Sequence, residues 1–189
     1  MTITLPERVC GQCSECCKGY LTGIAHGYHF SRDNQCHFLD TDRCGGGCSI
    51  YDQRPEMCSS YQCEWLRHKV MFPNWMKPDK SKVIVTHREV VYKDEPLLWW
   101  SAVECDRDMD AKVLSWLVQN TIAKGINLHY MLNQQNYYLG SSVFYEYLSL
   151  YTTLAIDNPD VAQEFDAADK VMVENNISQI YDDVIDTKT

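Results

Sequence analysis

The sequence has no apolar run approaching the roughly 20 residues that a membrane-spanning helix needs; stretches such as Leu97–Trp100 are among its longest. Residues 1–8 carry neither a basic nor an apolar segment. No secretory signal is therefore expected, and the chain is expected to be cytoplasmic, with no membrane partner. It shows no internal repeat, low-complexity tract, glycine-rich phosphate loop, Ser–His–Asp pattern or zinc-hydrolase motif. No reaction class is favoured by motif, although catalytic groups often lie far apart in sequence. Positive charge is also scarce: 17 Lys+Arg face 26 Asp+Glu, a net charge of -9. The deficit is uneven, -1 over residues 1–72 and -8 over residues 73–189. An acidic second half repels nucleic-acid phosphates and anionic lipids. The expected partner is a protein, with no nucleic acid.

What is abundant is cysteine. Nine of the ten lie between Cys10 and Cys63, and the tenth is Cys105. A reducing cytoplasm keeps thiols free, and clustered free thiols bind soft or borderline metals. Residues 10–52 are rich in Cys, Gly and turn formers, with little periodicity. Such a segment cannot bury enough apolar surface to fold by its core alone, so a bound metal would supply the missing stability. Cys44-Gly45-Gly46-Gly47-Cys48 reads as a flexible loop between two thiols.

Cys10, Cys13, Cys16 and Cys17 form a C-x2-C-x2-C-C run. Two-residue gaps let successive thiolates curl round one centre, as at zinc and iron–sulfur sites. The run departs from the bacterial ferredoxin pattern, which needs a further cysteine where Tyr20 stands. At least one ligand must come from farther along, with Cys36, Cys44, Cys48, Cys58 and Cys63 available. A helix is expected over Met57–Val70, started by Pro55, with Trp65, Leu66 and Val70 on its apolar face. Cys58 and Cys63 would then point about 140° apart, into different centres unless the helix is broken. Adjacent Cys16 and Cys17 raise the same question.

These residues carry a resemblance. The C-x2-C-x2-C-C run, Cys36-His-Phe-Leu39, and Cys48-Ser-Ile-Tyr-Asp-Gln-Arg-Pro-Glu-Met-Cys58 resemble the YkgJ-like cysteine-cluster family. That family is described as zinc- or iron-chelating, and often as iron–sulfur. The resemblance covers Cys10 to about Leu66, and Ile50-Tyr51-x2-Arg54-Pro55 is its most specific part. It implies a ligand set of Cys10, Cys13, Cys16, Cys17, Cys36, Cys48 and Cys58, extending to Cys63. Cys44 reads as an extra thiol and Cys105 as structural. Flagellin lysine methylases carry a similar module, but this sequence shows no methyl-donor site.

Two C-x2-C pairs separated by a loop would favour zinc. Here four thiols crowd into eight residues and eight are available in all, which favours iron–sulfur, [4Fe-4S] in type. Eight thiolates suffice for two clusters, or for one cluster plus a zinc. His26, His29 and His37 read as surface or packing residues. Arg54 reads equally as an ion-pair partner or as a donor to a ligand sulfur, and Tyr51 as core.

The fold class expected is α+β: a small, irregular, metal-stabilised cysteine module over residues 1–72, then a compact α+β domain over residues 73–189 with acidic C-terminal helices. A linker is expected over Phe72–Lys82. Strands are expected at Val83–Val85, Val90–Tyr92 and Leu97–Val103, with a turn at Lys93–Pro96. The clearest helix is Met109–Lys124, with Asp108 as N-cap and Gly125 as stop. A strand pair is expected in residues 126–140, a short helix at Val143–Tyr151, and one or two helices from Pro159 to Ile185. The function expected is a cytoplasmic iron–sulfur protein in electron transfer, redox sensing or support of a partner enzyme. Its alternatives are a structural zinc-binding interaction module and a cluster-dependent modification enzyme.

Overall fold

The computed structural model describes residues 7–11, 13–32, 34–40, 42, 47–106, 108–133, 135–157 and 178–179. These form a compact α+β structure built around a five-stranded mixed sheet. Strands β3 (Val83–Tyr92) and β4 (Glu95–Glu104) make a long antiparallel hairpin. Helix α4 (Ala111–Lys124) then crosses over to β5 (Asn127–Leu132), which runs parallel to β4. Strand β6 (Gln135–Leu139) returns antiparallel, helix α5 (Ser142–Asp157) follows, and β7 (Ser178–Gln179) adds parallel to β6.

Side chains alternate across the sheet, so Trp99 and Trp100 serve opposite cores. Trp100 lies with Val83, Val85, Leu128, Val113 and Leu117 on the α4 side. Trp99 lies with Leu97, Tyr138, Phe144 and Leu148 on the α5 side. Trp65, Phe72 and Met76, from before the sheet, also enter the α4-side core. The expected linker is therefore a packed connection holding helix α3 (Pro78–Ser81), with Phe72, Met76 and Pro78 buried.

Several local expectations are corrected. The Met57–Val70 helix is two short pieces, α1 (Glu56–Ser60) and α2 (Glu64–Arg67), with extended residues between. Burial of Trp65 and hydrogen bonding of Tyr61 to Thr86 at 3.2 Å outweigh helix propensity there, and Val70 is left 87% exposed. The α4 cap is Asp110, whose carboxylate accepts the Lys112 amide at 2.8 Å. The hairpin turns at Lys93 and Asp94 alone, both with positive φ (51° and 65°), as a two-residue turn requires. Pro96 sits in β4 beyond the reach of β5, so its missing N–H breaks no ladder. Residues 158–177, and with them most of the expected tail helices, lie outside the described residues; 178–179 are strand.

A buried polar chain crosses the sheet on the Trp99 side. His129 Nδ1 accepts from Ser101 Oγ at 2.9 Å, and its Nε2–H donates to Asn136 Oδ1 at 2.8 Å. All three residues are buried, as suits a structural hydrogen-bond chain. Desolvation lowers the His129 pKa to about 4. A histidine whose folded pKa lies below its unfolded value of about 6.5 stabilises the fold above that value and loses the contribution as pH falls toward 4. Between pH 7 and pH 5 the loss is expected to be about 2 kcal/mol. Urea titrations at both pH values should show it in the parent and not in His129→Gln; equal losses in the two proteins would refute it.

Candidate metal centre

Among the described residues of 7–60, Ala25 and Phe30 are the only buried apolar side chains. Backbone pairing and turns organise the rest. A 3-10 turn, Glu15–Lys18, carries Cys16 and Cys17 and ends at Gly19, φ +89°. A Cβ on Gly19 would fall 1.8 Å from the Ser31 carbonyl oxygen, so this close approach needs glycine. Ser31 follows the small hairpin of β1 (Gly23–Ala25) and β2 (Tyr28–Phe30) and bridges antiparallel to Asn34. Cys36 N–H donates to Cys17 O at 2.9 Å, and Leu39 bridges antiparallel to Cys48. Cys58 lies on α1, and Cys63 caps the start of α2.

This backbone brings Cys10, Cys13, Cys16, Cys17, Cys36, Cys48 and Cys58 to the wall of one cavity of about 620 Å³. Thr86 and Arg88 of β3 complete the wall on the sheet side. Cys63 is not among the lining residues and instead packs against the α4-side core. Cys10, Cys13, Cys16, Cys17, Cys36, Cys58, Cys63 and Cys105 are free thiols. Cys44 and the glycines at 45 and 46 lie outside the described residues.

The thiols ring the cavity without closing on one point. Among the described residues, no three His, Cys, Asp or Glu side chains are close enough to hold a single ion as they stand. Tetrahedral zinc–thiolate bonds of about 2.3 Å put sulfurs about 3.8 Å apart. The Cys16 and Cys17 sulfurs, at 3.9 Å, have that spacing.

Charge at the site follows from burial and crowding. Cys10, Cys13, Cys36 and Cys58 are pushed up chiefly by desolvation, and Cys63 is pushed up to about 11 by the same cause. The hydrogen bond shared by Cys16 and Cys17 raises Cys16 and lowers Cys17 to about 7. The Arg54 guanidinium favours the thiolates of Cys10, Cys17 and Cys58. It lies 3.7 Å above the Tyr51 ring, and its Nε–H donates to Tyr51 O at 2.8 Å. Tyr51 is thus a half-exposed platform for Arg54 in the cavity wall, where core packing was expected. The three histidines do not line the cavity: His37 stacks on Tyr28 at 4.0 Å, and His26 bonds Gln53 O at 3.0 Å. Cys105 is fully buried outside it, its thiol raised by desolvation.

Two anchors had no signal in the linear sequence. Buried Glu15, beside Cys16, pairs with Lys82 at 2.9 Å and Lys18 at 3.1 Å, and Lys82 reaches Asp106 at 3.0 Å. Tyr20, where a ferredoxin would carry cysteine, donates to Asp106. Arg8 donates to the carbonyls of Trp65 and Phe72 and lies over the Trp65 ring at 4.6 Å. Both anchors tie the cysteine segment to the sheet.

The chain matches no protein-family model, no curated protein and no solved structure. Among the described residues no helix is long and apolar enough to cross a membrane.

Proposed function

We propose that this chain is a cytoplasmic iron–sulfur protein, [4Fe-4S] in type, that serves electron transfer, redox sensing or support of a partner enzyme. The observation that carries the reading is the convergence of seven cysteines, from four separate backbone segments, on one cavity. A donor set made wholly of thiolates suits iron–sulfur clusters. Their spread round a space also suits a polynuclear body, which reaches outward to its ligands, better than a lone ion. The resemblance to the YkgJ-like family supports the same chemistry. When bound, such a cluster exchanges single electrons at a potential set by nearby charge and hydrogen bonds. Arg54 supplies positive charge in the wall, and Arg88 stands on its sheet side. The acidic second half is the surface that would meet a protein partner.

The test is anaerobic purification of the full chain, followed by its visible spectrum, iron content and acid-labile sulfide. A brown, oxygen-sensitive protein with iron and sulfide in equal amounts is expected. A colourless protein with stoichiometric zinc and no iron would overturn the reading in favour of a structural zinc module.

A further inference from the structure

We propose that the eight thiols form two distinct centres, one held by Cys10, Cys13, Cys16 and Cys63 and the other by Cys17, Cys36, Cys48 and Cys58. The inference rests on the metal-binding reading above and goes beyond it by assigning the ligands.

The dividing line runs between two adjacent residues. Cys16 and Cys17 stand on the Glu15–Lys18 3-10 turn, where consecutive side chains diverge by about 120°. Their sulfurs, 3.9 Å apart, are the point where the two sets touch.

On one side, Cys13 N–H donates to Cys10 O at 3.1 Å and closes a tight loop. Arg8 then fastens the start of that loop to α2 through the Trp65 carbonyl and ring. Since Cys63 opens α2, the clamp brings residue 63 to residues 10 and 13. Lys77, over the Trp65 ring at 5.7 Å, is felt by both Cys10 and Cys13.

On the other side, Cys36 is bonded to Cys17 through the backbone at 2.9 Å, and Leu39 carries the chain from Cys36 to its bridge with Cys48. Cys58 approaches from α1, whose Met57 side chain reaches Gly23 of the small hairpin. The break between α1 and α2 lets Cys58 and Cys63 face different ways.

The fields the thiols exert on one another follow the same division. Cys63 is raised by Cys10 and Cys13, and Cys58 by Cys17, Cys36 and Cys48. Cys36 feels Cys17 and Cys48. Across the line, Cys16 meets Cys17 and Cys10 feels Cys17, as expected for two sets sharing one wall.

The experiment compares the full chain with Cys63→Ser and Cys58→Ser, all reconstituted anaerobically with iron and sulfide or, separately, with zinc. Iron, zinc and labile sulfide are counted per chain. The parent is expected to carry two centres, and each variant is expected to lose half of the metal and keep the other half. The parent alone supplies a second readout: two neighbouring paramagnetic clusters should give a reduced-state electron paramagnetic resonance spectrum broadened by mutual coupling. A parent with a single centre and an uncoupled spectrum overturns the division while leaving the iron–sulfur reading intact. Loss of all metal in both variants, with an uncoupled parent, does the same. Two zinc ions per chain after zinc reconstitution, with no iron or sulfide retained after reconstitution with iron and sulfide, support the division and overturn the iron–sulfur reading.

Discussion

Stripping metal from the intact chain with a chelator under reducing conditions is expected to release residues 7–60 from their structure while the sheet remains folded. The expectation follows from where apolar side chains are buried. Among the described residues of 7–60 only the apolar side chains of Ala25 and Phe30 are buried, whereas the sheet and its helices bury Trp100, Leu117, Leu128, Tyr138, Phe144 and others almost completely. A segment that cannot exclude water from a core of its own depends on cross-links. In small metal-dependent domains the metal supplies on the order of 10 kcal/mol. Hydrogen exchange read by mass spectrometry should show peptides from Cys10–Cys58 losing nearly all protection after metal removal. Peptides from β3–β6 should keep theirs. Equal protection of the cysteine segment with and without metal would mean that its backbone pairing and the Glu15 and Arg8 anchors suffice, and the metal would not be its core.

Trp100→Ala should produce the largest effect on the other half of the molecule, a loss of about 3–5 kcal/mol. Trp100 is 1% exposed and has aromatic contacts on two sides: the Phe72 ring at 5.1 Å and the Trp116 ring, nearly parallel, at 6.4 Å. Ordinary domains hold only about 5–15 kcal/mol in total, so the variant should unfold at markedly lower urea. Phe72 follows α2 closely in sequence, so the cavity also loosens the seat of Trp65 and of Cys63 beside it. Urea denaturation by far-ultraviolet circular dichroism measures the change. A loss below about 1 kcal/mol would show that α4 and the sheet collapse onto the vacated space and that Trp100 is not central.

The second half of the fold was legible where local pattern and tertiary need agree. Val83-Ile84-Val85 is a β-branched run and Leu97–Val103 is mostly apolar with two tryptophans, and both are strand. The α4 stripe was readable because Leu117 and Thr121 repeat at helical spacing and Gly125 stops it at φ 63°. Legibility failed where a distant partner decides. Nothing in residues 57–70 announces that Tyr61 will bond Thr86 or that Trp65 will enter the sheet core, so an unbroken helix was the natural reading. Lys93 and Asp94 do not advertise their left-handed backbone as Asn-Gly would. At the site, spacing picked out the thiols, and seven of them share a cavity. It did not say which face one another, because that depends on the 3-10 turn at Glu15–Lys18 and on the clamp from Arg8. Glu15, Lys82 and Asp106 lie 67 and 24 residues apart along the chain and meet only in three dimensions.

In the two-centre arrangement proposed above, the position of Cys63 would impose an order on biosynthesis. Chains emerge from the ribosome N-terminus first, and of the eight thiols Cys63 is the last delivered. It is also the one packed against Trp65, Phe72 and the sheet residues that stabilise them, among them Trp100, Leu117 and Leu128. The set ending at Cys58 is chemically complete before any of the sheet has been made. The set that needs Cys63 gains a firm fourth ligand only after strands made some forty to sixty-five residues later have folded beneath it. Its two ends, Cys10 and Cys63, also enclose every residue of the other set. In the proposed two-centre arrangement, maturation would therefore run from the inner centre to the outer one, the outer centre waiting on the sheet.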